Sequence, residues 1–179
     1  MRLFIGVWLT PELNAAAAEL IARLGKDSAG WKWTDPANLH FTLRFLGETP
    51  PERIGALSER LEAAAAGCRR FTLGLGRSGT FPPRGPARIL WLGAEPGAAE
   101  LTELAGRVES ACQDYGFPAE PKPFKPHLTI ARAKDETPRP AAFPELRPPG
   151  LMEVGGFALI ESKLQPRGPV YETVRQFGF

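Results

Sequence analysis

Residues that commonly carry catalysis or bind metals are scarce in this chain, whose 179 residues include only two histidines and two cysteines. The close ligand pairs of zinc motifs, C-x-x-C and H-x-x-x-H, are both absent, so these residues predict no zinc site. Cys68 and Cys112 carry no disulfide signature. Their spacing favours free thiols and a reducing, cytoplasmic environment.

Long apolar runs are also missing, and none approaches the roughly 20 residues that a transmembrane helix needs. The first ten residues, MRLFIGVWLT, contain one basic residue and lack the small-residue cleavage site of a signal peptide. We therefore expect no membrane segment, and we expect these residues to begin the fold as a strand.

Acidic residues are absent from two stretches, residues 63–94 and 121–134, although the net charge is only +2. The first stretch contains five arginines, and the second surrounds one histidine with basic residues, namely Lys122, Lys125, Arg132 and Lys134. Local positive charge of this kind suits a polyanion such as RNA. The alternative is a solvated basic face that only keeps the protein in solution.

The spacing of apolar residues predicts three helices and several strands, and hence an α+β fold. The helices are expected over residues 11–24, 51–66 and 98–115, and each is followed by a glycine. The expected strands include RFTLGLG, ARILWLG, HLTIAR, EVGGFALIES and PVYETVRQF, with SGTFPPRGP as a loop between the first two. Residues 136–150 contain five prolines and predict an irregular surface loop.

Both histidines occur in the same short pattern, H-x-T, as His40 with Thr42 and His127 with Thr129. The copies are 127 − 40 = 87 residues apart, close to half the chain. This spacing indicates two lobes of related design that each supply one copy to a shared cleft. Because side chains alternate along a strand, each histidine should share a face with its threonine. Arg44 should share the face of His40 and is therefore expected to join the site as a substrate-binding residue.

Two imidazoles and two hydroxyls that converge on one small volume are suited to acid–base catalysis of attack on a phosphate. Histidine titrates near neutrality, so one copy can accept a proton while the other donates one, each contributing ~10²–10⁴-fold in rate. The threonine hydroxyls can hydrogen-bond the phosphate oxygens, and no step requires a metal. The alternative is that each histidine only makes structural hydrogen bonds and that threonine follows because strands favour it.

The same residues resemble the 2H phosphoesterases, a family named for two H-x-[ST] motifs. The likeness runs the length of the chain and is greatest to the bacterial and archaeal RNA 2',3'-cyclic phosphodiesterases, also called 2'-5' RNA ligases. The segments that carry it are MRLFIGVWL, NLHFTLRFLGE, FPPRGPARILWLG, FKPHLTIAR and FALIESKLQPRGPVYETV.

The resemblance implies one bilobal domain over residues 1–179, with two antiparallel sheets that face each other across a central cleft and helices on the outside. It implies metal-independent hydrolysis of RNA 2',3'-cyclic phosphate ends to a 2'-phosphate, a role in RNA processing, and no cofactor. The expected substrates are RNA ends or nucleotides with a 2',3'-cyclic phosphate, and we expect a monomer. Two alternatives stay open: a non-catalytic module that binds nucleotides or RNA, and 2'-5' ligation of RNA halves by the reverse reaction.

Residue roles follow from the resemblance position by position. His40 is the expected general acid and His127 the expected general base, while the chemistry of the sequence alone fixes only the pair. Thr42 and Thr129 are expected to bind the phosphate, and Arg132 matches a family arginine that contacts it. Strand parity directs Arg132 away from the histidines unless the strand ends or bulges before it. No metal ligand is expected.

Overall fold

A computed structural model of the chain describes residues 1–25, 30–134, 149–166 and 168–179. The strands are β1 (Arg2–Trp8), β2 (Trp31–Trp33), β3 (His40–Glu48), β4 (Phe71–Phe81), β5 (Ile89–Ala94), β6 (Leu128–Ala133), β7 (Leu151–Val154), β8 (Gly156–Gln165) and β9 (Gly168–Gly178). The α-helices are α1 (Pro11–Gly25), α2 (Ile54–Ala66) and α3 (Ala98–Asp114). Short 3₁₀ turns, Pro36–Asn38 and Pro51–Arg53, precede β3 and α2.

The strands form one antiparallel sheet in the order β7-β4-β5-β6-β3-β1-β8-β9, with β2 alongside β6. Its two halves meet between β3 and β6, where the register pairs Phe41 with Leu128. The α+β class and the antiparallel pairing are confirmed. The two expected sheets are continuous with each other, because this one residue pair joins them edge to edge.

The three helices cover one face of the sheet. The buried residues of α1 are Leu13, Ala17, Leu20 and Ile21, a spacing that places them on one stripe of the helix. They share a core with Leu57 and Leu61 of α2, with one face of α3 and with the apolar residues of β1, β3 and β6. Each such leucine contributes about 1.5–3 kcal/mol through the apolar surface that it removes from water. Within the described ranges, no helix residue belongs to the buried cluster on the opposite face, so the helices leave this face open along β1, β3 and β8.

Most predicted elements are confirmed, but β2 is a strand that the sequence does not predict, and two expected strands differ in extent. β4 continues to Phe81, so the first part of the expected loop SGTFPPRGP is strand. The expected strand EVGGFALIES is split between β7 and β8 at Gly155. The first residue of β8 must be glycine, because a Cβ on Gly156 would lie 2.4 Å from the carbonyl oxygen of Phe177 on β9. The predicted loop at 136–150 lies outside the described residues except for its last two.

Both cysteines are free thiols, as their spacing predicts. Burial raises the pKa of the Cys112 thiol to about 12. Of the helices in the described ranges, none has the length and the apolar character to cross a membrane.

Candidate active site

The first H-x-T pair lies at the start of β3, on the face that the helices leave open. Phe41 is fully buried in the core, whereas His40 and Thr42 on either side of it are only partly buried. The His40 ring lies against Gly6 of β1, where a Cβ would be 3.4 Å from the ring carbon Cδ2. Glycine is required at this position by the backbone, because a Cβ would lie 2.9 Å from the carbonyl oxygen of Phe41.

Hydrogen bonds fix the orientation of the His40 ring. Its Nδ1 lies 2.7 Å from the carbonyl oxygen of Asn38, and its Nε2 lies 3.0 Å from Oγ1 of Thr42. A carbonyl can only accept, so Nδ1 carries the proton in the neutral ring. Nε2 then uses its single lone pair to accept the Thr42 hydroxyl proton in the unliganded protein.

The second pair repeats this arrangement just before and within β6. Leu128 is fully buried, while His127 and Thr129 are partly buried. Nδ1 of His127 donates to the carbonyl oxygen of Lys125 at 2.7 Å. Each histidine thus bonds the carbonyl two residues before it, and both rings present Nε2 as the proton-accepting nitrogen.

Sheet pairing brings the two motifs together. Phe41 lies opposite Leu128, and each of these residues directly follows a motif histidine. Antiparallel geometry therefore places His40 level with Thr129 and His127 level with Thr42, on the face opposite to the buried pair. The two motifs lie on neighbouring strands of one sheet at the junction of its halves.

Aromatic rings surround the two histidines in matching ways. Each imidazole makes an edge contact with one tryptophan and a near-perpendicular contact with a second ring. For His40 these are Trp8 (centroids 5.7 Å, 69°) and Tyr171 (5.2 Å, 89°); for His127 they are Trp91 (6.4 Å, 67°) and Phe81 (5.1 Å, 87°). The correspondence is partial, because His40 also lies 4.7 Å from the ring of Phe4, which is closer than the other two rings.

Burial lowers the pKa of both imidazoles in the absence of a ligand. It lowers the pKa of His40 from 6.5 to about 4, and Arg132 and His127 add to the lowering. Burial also lowers the pKa of His127, with Arg132 and Lys125 acting in the same direction. The hydrogen bond from Nδ1 to a backbone carbonyl favours the charged ring and so partly offsets the lowering of the pKa in each case. Both rings are therefore neutral at pH 7 in the unliganded protein.

A β-bulge brings Arg132 to the site. Trp91 pairs with Thr129 and Leu90 pairs with Ala131, so Ile130 between them has no partner on β5. Ile130 and Ala131 are consecutive buried residues, after which Arg132 is exposed on the face of Thr129. Because of the bulge, Arg132 lies on the same face as the two histidines. Its positive charge helps to lower the pKa of both rings.

The prediction that Arg44 shares the face of His40 is wrong, because β3 carries the same bulge. Gly6 pairs with Thr42 and Ile5 pairs with Arg44, so Leu43 is unpaired on β1. The bulge turns the Arg44 side chain into the core, where 4% of it is exposed. Its guanidinium forms ion pairs with Glu109 of α3 at 2.9 Å and Glu120 at 3.0 Å, and it donates to the carbonyl of Pro118. Arg44 thus ties β3 to the segment that leads to His127.

Phe45 takes the position in the first half that Arg132 takes in the second. Both residues follow their motif threonine by three positions and both come after a bulge. Phe45 is 58% exposed, and its ring lies 6.0 Å from that of Phe4. Simple alternation along β3 places Phe45 on the buried face with Phe41, so the sequence does not identify it as a neighbour of the site.

Lys125 is a further neighbour of His127 that the motif does not identify. Its Nζ lies 4.5 Å from the Trp91 ring centroid and 5.1 Å from that of Phe81. An ammonium held over two ring faces is stabilised by cation–π attraction. The only sequence signal for Lys125 is its place in the acid-free stretch 121–134. In the described part of the chain, no group of three or more His, Cys, Asp or Glu residues is arranged to hold a metal ion.

The model of the 2'-5' RNA ligase superfamily matches residues 10–165. A Thermus thermophilus relative named RNA 2',3'-cyclic phosphodiesterase is 40% identical over 99% of this chain and 89% of its own length. An Archaeoglobus fulgidus relative of the same name is 35% identical over 99% of both chains.

Solved structures show the same similarity. A crystal structure of a Thermus thermophilus protein superposes with a TM-score of 0.88 and 34% identity, covering 99% of this chain and 97% of its own. Escherichia coli LigT complexed with 3'-AMP superposes with a TM-score of 0.81 and 28% identity over the same shares. Because the family model spans most of the residues and the relatives match almost the whole length, the chain belongs to the 2'-5' RNA ligase superfamily.

Proposed function

We propose that the protein hydrolyses 2',3'-cyclic phosphate ends of RNA to 2'-phosphates by paired-histidine acid–base catalysis without a metal. The observation that carries the proposal is the junction of β3 and β6, where two H-x-T pairs share one open face. The relatives named RNA 2',3'-cyclic phosphodiesterase support the choice of substrate.

In the proposed reaction, Nε2 of His127 takes a proton from water, and the water oxygen forms a bond to phosphorus. The bond between phosphorus and the 3'-oxygen breaks, and Nε2 of His40 supplies the proton that makes this oxygen a hydroxyl. The product carries the phosphate on its 2'-oxygen. The assignment of acid and base to the two rings follows the family resemblance, whereas the need for one acid and one base follows from the chemistry.

Charge on the non-bridging oxygens is stabilised by the threonine hydroxyls and by Arg132 in this scheme. Donors that point at an oxygen where charge develops act most strongly in a site shielded from water. Arg132 supplies a guanidinium whose parallel donors match the oxygens of a phosphate. Thr42 already bonds Nε2 of His40, so its hydroxyl lies where the reacting group must bind.

Product analysis tests the proposal directly. The purified protein, incubated with 2',3'-cyclic AMP and no added metal, should form 2'-AMP as the main product, detected by phosphorus NMR. Formation of 3'-AMP would refute the proposed choice of leaving oxygen. Binding of the nucleotide without turnover would instead support the non-catalytic module.

Ligation is the second candidate, and the name of the matching family model favours it. A 5'-hydroxyl of another RNA, in place of water, would attack the cyclic phosphate with the same acid and base and form a 2'-5' linkage. Hydrolysis prevails where water competes freely, so ligation requires both RNA ends to be held together. Incubation with paired RNA halves, followed by a search for nuclease-resistant 2'-5' junctions, distinguishes the two reactions.

We expect activity on 2',3'-cyclic AMP to be unchanged by excess EDTA. Imidazoles move the protons and the hydroxyls and Arg132 stabilise the charge, so no step uses a Lewis acid. The measurement compares kcat/KM before and after dialysis against the chelator, with EDTA-treated protein to which Mg²⁺ or Mn²⁺ is returned as the control. Loss of activity that a divalent ion restores would contradict the scheme.

Valine in place of Thr42 or Thr129 should lower kcat by about 10- to 100-fold, since each change removes one donor to the developing charge. Valine keeps the shape and the strand preference of threonine. Serine at the same position is the matched control, because it restores the hydroxyl and should restore most of the rate. A valine variant with unchanged kcat would show that the hydroxyl is not a donor in the transition state.

A further inference from the structure

Two cations face each other across β2 and β6. Lys32 pairs with Arg132 in the antiparallel register, so both side chains project from the same face of the sheet. The neighbours Trp31 and Ala131 are buried on the other face, whereas Lys32 and Arg132 are exposed. This is the open face of the sheet, since Arg132 follows Thr129 there after the bulge.

The Lys32 side chain reaches from one half of the sheet towards the other. Its Nζ lies 3.6 Å from the position that a Cβ on Gly168 would occupy, at the beginning of β9. Asn38 donates from its amide nitrogen to the carbonyl of Pro169 at 2.8 Å and so holds β9 next to the 3₁₀ turn that precedes His40. Lys32 therefore starts opposite Arg132 on the open face, and its ammonium lies next to the beginning of β9.

Like charges directly opposite each other destabilise a sheet unless something neutralises them. Over residues 1–25, 30–134, 149–166 and 168–179, neither Lys32 nor Arg132 forms an ion pair with a carboxylate. An anion between the two side chains would convert their repulsion into attraction.

We propose that Lys32 binds the phosphate on the 5'-oxygen of the terminal nucleotide, with Arg132 between it and the reacting phosphate. The proposal rests on the proposed function and narrows its substrate to an RNA strand, in which that group is an internal phosphodiester. Three strand positions separate Thr129 from Arg132, which is roughly 7–10 Å along β6. This is comparable to the spacing of successive phosphates in an extended single strand, so a second phosphate reaches the Lys32 side of Arg132.

The test compares two substrates that differ by one nucleotide: 2',3'-cyclic AMP and the dinucleotide ApA with a 2',3'-cyclic phosphate. Lys32→Gln should reduce kcat/KM for the dinucleotide by about tenfold, because a charged hydrogen bond is lost, and change it less than about twofold for the mononucleotide. The slope of log(kcat/KM) against log salt should fall by ~0.7 for the dinucleotide alone. Arg60→Gln, an exposed charge on the helix side of the sheet, is the matched control and should affect neither substrate.

A neutral methylphosphonate at the internal linkage identifies the group that Lys32 contacts. On this analogue the wild-type protein and Lys32→Gln should have equal kcat/KM, since the charge that distinguishes them is gone. An undiminished tenfold difference would overturn the proposal. Equal losses on the mononucleotide and the dinucleotide would overturn it as well, because Lys32 would then act on the reacting phosphate or on the fold.

Binding measurements separate this proposal from the activity. By calorimetry, Lys32→Gln should bind the dinucleotide ApA 2'-phosphate about tenfold more weakly than wild type and bind 2'-AMP equally well. This comparison requires no turnover. Absence of hydrolysis with the predicted binding difference would overturn the proposed function alone, and hydrolysis without that difference would overturn the phosphate site alone.

Discussion

Alanine in place of either His40 or His127 should reduce turnover of 2',3'-cyclic AMP by at least about 10²-fold. Each substitution removes one Nε2, and the reaction needs one nitrogen that accepts a proton and one that donates it. The double variant should lose less than the product of the two single losses, because both groups act in the same transition state. Steady-state kinetics of the four proteins, with single turnover where rates are low, measures all of these effects.

Asparagine is the matched control for each histidine. Its side-chain amide takes the place of Nδ1 and can donate to the same carbonyl, that of Asn38 or Lys125, while Nε2 is lost. The asparagine variants should therefore fold as the wild type does and be as inactive as the alanine variants. Near wild-type turnover in any single variant would remove that histidine from the mechanism.

The pH–rate profile then assigns the roles. The wild type should give a bell-shaped profile, and each single variant with measurable residual activity should lose one limb. Loss of the acidic limb in the His127 variant and of the basic limb in the His40 variant agrees with the proposed roles. The opposite pattern would mean that both histidines are catalytic but that His40 is the general base and His127 the general acid.

The sequence predicts the motif pairs and their shared face because local patterns carry that information. Phe41 and Leu128 are apolar residues between a histidine and a threonine, so burying them exposes both neighbours. The helices were equally predictable, since the stripe of Leu13, Ala17 and Leu20 repeats with helical spacing.

Arg44 and Arg132 show where such patterns fail. A β-bulge inserts one extra residue and reverses the alternation of side chains beyond it. The bulges at Leu43 and Ile130 depend on how β3 and β6 pair with distant strands, and nothing in either short stretch encodes that register. The bulge at Leu43 removes Arg44 from the site, and the bulge at Ile130 brings Arg132 to it.

The sequence also does not predict which aromatic rings surround the histidines. Trp8 precedes His40 by 40 − 8 = 32 residues, and Trp91 precedes His127 by 127 − 91 = 36. Each tryptophan meets its histidine only because the chain returns through a helix to the neighbouring strand, from β1 to β3 and from β5 to β6. Tyr171 is more distant still in the sequence and lies on β9, which β8 separates from β1 in the sheet.

Anion binding should raise the pKa of His40 well above its value of about 4 in the free protein. Burial disfavours the imidazolium there, and Arg132 and His127 add to this, so at pH 7 only about one ring in a thousand is protonated. A dianion within hydrogen-bond reach of Nε2 reverses the balance, because it favours the charged ring and neutralises Arg132. We therefore expect the substrate's phosphate to recruit the proton that His40 later donates.

The sign of this coupling can be tested by the pH dependence of sulfate affinity, since sulfate stays a dianion from about pH 5 to 8. The protonated ring binds the anion more tightly, so the affinity should rise as the pH falls. Between the bound and the free pKa of His40 the rise should approach tenfold per pH unit. Because the chain has only two histidines, NMR gives two signals for the ring carbon Cε1, and His127→Asn assigns them.

With sulfate bound, the His40 signal should titrate at least about two pH units higher than without it, whereas adenosine, which lacks a phosphate, should leave its pKa unchanged. A His40 signal that titrates identically with and without sulfate would contradict the role of general acid, since the ring would then have no proton to donate near neutrality. A large rise at His127 with none at His40 would exchange the two roles, because the general acid is the ring that the bound anion protonates.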